Sequence, residues 1–103
     1  MSVLLEFSMF PTDVGESKSE YVSQIIKMVK ESGVKYKLTP MSTVIETDTL
    51  PEALDIVNRA YECLEDKSNR VYSSLKIDIR QNRADALTQK IASIESKIGK
   101  VES

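Results

Sequence analysis

The 103 residues suffice for one domain with a modest core, and 41% apolar against 29% charged residues is an ordinary globular balance. A net charge of -2 gives no general attraction for phosphate backbones or anionic lipid, so nucleic acid and membrane are set aside as partners. Histidine is absent, cysteine occurs once (Cys63) and glycine three times, which removes Ser-His-Asp and Cys-His nucleophile systems, intrachain disulfides and glycine-rich phosphate loops, and leaves little for a zinc site. No run approaches the roughly 20 apolar residues that span a bilayer. The start, Met1-Ser2-Val3-Leu4-Leu5-Glu6, lacks the basic stretch of a signal peptide, and a reduced cytoplasmic setting is expected.

In chain order, Val3 to Phe10 is rich in β-formers and reads as a first strand stopped at Pro11. Ser17 and Glu20 form a capping box that opens a helix whose stripe is Val22, Ile25, Ile26 and Val29. Gly33 stands where a left-handed C-terminal residue is wanted. Lys35 to Thr39 and Thr43 to Thr47 read as two strands joined through Pro40-Met41-Ser42, as a hairpin or a bent ribbon. A second capping box, Thr49 with Glu52, starts a helix with Pro51 in its first turn; Leu54, Val57, Tyr61 and Leu64 are its expected apolar face. Arg70 to Arg80 alternates, with Val71, Leu75, Ile77 and Ile79 on one side and Tyr72, Ser74, Lys76, Asp78 and Arg80 on the other. A last helix is expected from near Asn82, with Leu87, Ile91, Ile94 and Ile98 in a heptad-like seam.

The order β-α-β-β-α-β plus a terminal helix is the ferredoxin-like α+β pattern, with a four-stranded antiparallel sheet and two helices on one face, and residues 1–103 form one such domain. The other face should carry Leu4, Glu6, Ser8 and Phe10, then Val44 and Glu46, then Tyr72, Ser74, Lys76, Asp78 and Arg80. Such a face is either simply wetted, as antiparallel sheets allow, or used for self-association around a polar recess. The seam of the last helix favours association, because it needs its own sheet or a second subunit to pack on.

Ser17-Lys18-Ser19-Glu20-Tyr21-Val22, Ser32-Gly33-Val34-Lys35-Tyr36-Lys37-Leu38 and Pro40-Met41-Ser42-Thr43-Val44-Ile45-Glu46 resemble the thiamine-binding domain family, as do Arg70-Val71-Tyr72 and Ile77-Asp78-Ile79-Arg80 near the end. The resemblance implies a ferredoxin-like fold, homodimers or dimers of dimers, and a pocket for thiamine or its hydroxymethylpyrimidine half, with no cofactor. A receptor for that ligand needs an acceptor for the amino group, a flat or thioether cover for the ring, and negative potential near the thiazolium. Glu46 and Thr43 are the candidates for the pyrimidine edge, with Ser42 beside them. Met41 or Tyr36 is the candidate cover, and Glu6 and Asp78 supply further carboxylates. Each has a plainer reading: Glu46 in an ion pair with Lys76, Thr43 as a β-former, Tyr36 and Met41 in packing, Asp78 paired with Arg80. A non-catalytic binder is expected first and a structural or regulatory oligomer second. An enzyme using Glu46 or Asp78 comes third, since no second catalytic partner stands at a fixed spacing.

Overall fold

The computed structural model describes residues 1–15, 18–82 and 85–103. Its elements run β1 (Ser2–Pro11), α1 (Ser19–Ser32), β2 (Lys35–Leu38), β3 (Thr43–Thr47), α2 (Leu50–Glu62), β4 (Val71–Arg80) and α3 (Ala86–Ile98). The strands form one antiparallel sheet in the order β2-β3-β1-β4, the ferredoxin-like α+β arrangement expected.

Alternation along β1 decides where the core lies. Val3, Leu5, Phe7 and Met9 are buried on the face that receives α1 and α2, while Leu4, Glu6, Ser8 and Phe10 are half-buried on the opposite, open face. Ile25 and Val29 of α1, Ile45 of β3, and Ala53, Ile56, Ala60 and Leu64 from α2 and the turn after it complete the core. Burying each large aliphatic side chain stabilises the fold by roughly 1.5–3 kcal/mol.

The helix boundaries follow from local chemistry. Gly33 has φ 83° and closes α1 in the left-handed region. The Ser17 cap lies outside the described residues. At the start of α2, Thr49 Oγ1 accepts the Glu52 N–H at 3.3 Å and donates to the Glu52 carboxylate at 2.7 Å, so the expected Thr49–Glu52 pair caps the helix, with the carboxylate on the Thr49 hydroxyl in place of its N–H.

Two expectations are corrected. The buried face of α2 is Ala53, Ile56, Ala60 and Leu64, whereas Leu54 and Tyr61 are 43% exposed. The alanines let the helix approach the sheet closely, so the small residues point inward and larger ones flank the contact. The last helix begins at Ala86 rather than near Asn82, because Asn82 and Asp85 have φ 57° and 53° and cannot belong to a right-handed turn.

Candidate functional site

The β2–β3 turn and the unequal lengths of its neighbours create a recess. Pairing of β1 with β3 runs from Val3↔Thr47 to Phe7↔Thr43 and stops, whereas β1 continues to Pro11 beside β4. Beyond Phe7, β1 therefore has no strand on its β3 side. The gap left there is a slot of about 260 Å³ between α1 and the turn. Phe7, Met9, Phe10, Ile26 and Leu38 line it with apolar surface, and Thr39, Ser42 and Thr43 bring hydroxyls. A mostly apolar concavity with a few hydroxyl groups is the usual form of a small-molecule site.

Thr39 organises the turn. Its hydroxyl accepts the N–H groups of Met41 (3.2 Å) and Ser42 (3.0 Å) and donates to the Ser42 carbonyl at 2.9 Å. Its own N–H donates to the same carbonyl at 2.8 Å. A second basin, of about 300 Å³, lies on the open face and shares Ser8, Met41 and Ser42 with the slot. There the Ser42 hydroxyl donates to Glu6 at 3.0 Å, and Ser8 and Ser74 hydroxyls meet at 3.1 Å. Outside the mouth, the Lys18 ammonium stands 6.0 Å from the centre of the Phe10 ring, which also packs on Tyr72 at 5.8 Å.

Among the residues expected to bind, the structure brings Met41, Ser42 and Thr43 together in the slot and places Glu6 in the adjoining basin. Glu46 is elsewhere. Three residues apart on one strand, Thr43 and Glu46 point to opposite faces, so the expected convergence of the two on one ligand edge is corrected. Glu46 does not pair with Lys76 either; Lys76 stands opposite Glu6, and Glu46 is flanked by Leu4 and Lys35. Tyr36 is half-buried on the helix side of β2 and packs on the core, away from the slot lining. Asp78 sits on β4, where it accepts from Lys90 of α3 at 3.0 Å.

Glu46 belongs to a third recess, of about 360 Å³, at the opposite end of the sheet. It is only 8% exposed, and both of its carboxylate oxygens accept hydrogen bonds. The Ala86 and Leu87 N–H groups, the first two of α3, donate to it at 2.8 and 3.3 Å, and the Ser2 hydroxyl donates as well. Burial pushes its pKa up, but these hydrogen bonds, with Lys35 nearby, hold it below the ordinary value of 4.5. Lys35 also pairs with Asp85 just ahead of α3, and that pairing raises the lysine pKa. Glu46 thus anchors a helix across the open face.

Sequence reasoning missed Phe7, Met9, Phe10, Ile26, Leu38 and Thr39 as slot residues. Only Thr39 carried a readable signal, since Thr-Pro-x-Ser is a turn whose first hydroxyl satisfies the backbone ahead. The others look like core residues in a one-dimensional pattern. Among the described residues no helix is long and apolar enough to cross a membrane.

Comparison with known proteins places these features in context. The sequence profile of the family described as thiamine-binding protein matches residues 5–95. The UPF0045 protein Mb1933 of Mycobacterium bovis is 42% identical over 95 residues, covering 92% of this chain and 93% of that protein. The crystal structure of MJ1052 from Methanocaldococcus jannaschii superposes with a TM-score of 0.80 at 34% identity, over 90% of this chain and 95% of that one. TM0486 of Thermotoga maritima, provisionally assigned to thiamine biosynthesis or salvage, superposes with a TM-score of 0.77 over 91% of this chain and 99% of its own. At 21% identity this last likeness speaks to the fold alone.

Proposed function

Because the chain belongs to the thiamine-binding protein family, we propose that it binds thiamine or its hydroxymethylpyrimidine half, without catalysis, as a homo-oligomer. The observation that carries this reading is the slot beside Thr43, which joins flat apolar walls to a hydroxyl rim and opens toward a carboxylate. The pyrimidine ring stacks between Phe10 and the thioethers of Met9 and Met41, and its ring nitrogens and amino group meet Thr43 and Ser42. Glu6, reached through the shared Ser42, supplies negative potential for the thiazolium. Glu46 and Asp78 take no part in this binding. The reading also includes the reduced cytoplasmic setting that a lone, half-buried Cys63 suits.

Self-association is supported by apolar side chains that this fold leaves uncovered. Leu75, Ile77 and Ile79 of β4 are 41%, 43% and 47% exposed, and Ile94 and Ile98 of α3 are exposed too. The same observation favours the second reading, an oligomeric structural or regulatory protein without a ligand. Calorimetric titration with thiamine and with hydroxymethylpyrimidine separates the two. Saturable heat is expected, reduced about tenfold in affinity by Thr43→Val, which removes one hydrogen bond of about 1.4 kcal/mol and keeps the side-chain shape. Glu46→Gln should leave that affinity within a factor of about two, being remote from the slot. Absence of heat from folded protein with either compound leaves only the second reading.

A further inference from the structure

The slot and the open-face basin meet at the start of β3. Ser8, Met41 and Ser42 belong to both, so a ligand seated in the slot can pass around the end of that strand onto the open face. The floor of the basin is a rectangle of cross-strand neighbours, Glu6 opposite Lys76 and Ser8 opposite Ser74. The two opposite charges do not join. The Glu6 carboxylate accepts from the Ser42 hydroxyl at 3.0 Å, on the side of the β2–β3 turn. Among the described residues, the Lys76 ammonium on the far side has no ion pair or hydrogen bond. The Ser8 and Ser74 hydroxyls stand 3.1 Å apart; one proton serves that contact, and the other is left for an outside acceptor. Across the sheet from the turn, the basin thus presents a hydroxyl at Ser42, a negative charge at Glu6, and then a positive charge and a hydroxyl at Lys76 and Ser74. Each step is one strand, about 4.8 Å.

We infer that the basin receives a phosphoryl group on the same ligand, so that the form held best is the phosphate monoester of the cation and not its free alcohol. This rests on the thiamine reading above and names the form bound. With the pyrimidine in the slot, the thiazolium crosses the rim at Ser42 and lies over Glu6. Its hydroxyethyl arm then covers about one further strand spacing and brings its terminal oxygen to Lys76 and the Ser8–Ser74 pair. A free hydroxyl there leaves the ammonium without a counter-charge. A phosphoryl group supplies one and accepts the spare hydroxyl proton, both charge-assisted contacts. Glu6 repels an isolated phosphate, but in this ligand the cationic ring lies between the two, and the charges of protein and guest alternate along the path. A basin of about 300 Å³ with a single ammonium suits one phosphoryl group.

The test is calorimetric titration of the full chain with thiamine, thiamine monophosphate and inorganic phosphate. The monophosphate should bind about tenfold more tightly than thiamine, a preference that shrinks as salt is raised. Lys76→Met should erase that preference and Lys76→Arg should keep it; the side chain lies on the open face, and circular dichroism should match the unmodified protein for both. The preference should also fall below about pH 6, where the ester gives up its second charge. Inorganic phosphate alone should give no saturable heat at the same concentration. If it binds as tightly as the ester, the basin is a separate anion site and the inference is overturned. Thiamine that binds as tightly as its monophosphate, or a preference that survives Lys76→Met, likewise overturns it and leaves the thiamine reading standing. No heat from folded protein with either thiamine compound overturns both.

Discussion

Replacing Glu46 with glutamine should release α3 while leaving the sheet folded. The carboxylate accepts from Ala86, Leu87 and Ser2, and hydrogen bonds to a charged group contribute about 1.5–3 kcal/mol each. Glutamine keeps the shape but offers one carbonyl oxygen, and its NH₂ then faces a donor. At least one charge-assisted bond is lost, together with the attraction between a negative charge and a helix N-terminus, about 0.3–1 kcal/mol. Little else resists, since Ala86 is the one buried residue of α3 among those described. A net change of about 2 kcal/mol in local opening corresponds to roughly a thirtyfold rise in the opening constant. Amide hydrogen exchange should show that rise in α3 and not in β1 or α1. The pH dependence has a definite sign. Because the folded pKa of Glu46 lies below 4.5, its contribution is complete above the ordinary glutamate range and is lost as pH falls through the lowered value. Protection of α3 should therefore be flat across neutral pH and fall only in acid, and the variant should lack that acid limb. Equal protection of α3 in both proteins, or loss spread evenly over the sheet, would refute the anchor.

Two further substitutions test the helix boundaries. Gly33→Ala introduces a Cβ that meets nothing within 4 Å, so its cost is backbone strain alone at φ 83°, about 1–2 kcal/mol by urea unfolding; an unchanged midpoint would contradict the left-handed assignment. Thr49→Ala removes both halves of the α2 cap and should destabilise by about 1 kcal/mol in the same assay, with no effect on exchange in α3.

Most of the fold was legible because it is encoded in short-range periodicity. The alternation of Val3, Leu5, Phe7 and Met9, the i, i+3, i+4 stripe of α1 and the Thr49–Glu52 box each act within a few residues of themselves. What misled was reading size as burial in α2, where Ala53 and Ala60 take the inner positions because the sheet approaches so closely. The site was less legible. Met41, Ser42 and Thr43 come together as neighbours at the turn and the start of β3, but the walls they meet come from β1 and α1, and nothing local marks that meeting. Glu46 misled because its chemistry suits a ligand amine as well as it suits main-chain amides, and only the return of the chain after β4 decides between them.

The way β3 begins only at Thr43, while the antiparallel β1 beside it carries on past Phe7, makes the width of the slot adjustable separately from the hydrophobic core. Two more residues on each arm of the β2–β3 ribbon would extend the ladder alongside Ser8 and Met9 and shut the opening; a shorter ribbon would widen it. Neither change touches Val3, Leu5, Ile45 or the helices above them. Insertions and deletions at a single exposed turn could thus retune what size of guest is admitted, with the scaffold as a fixed frame.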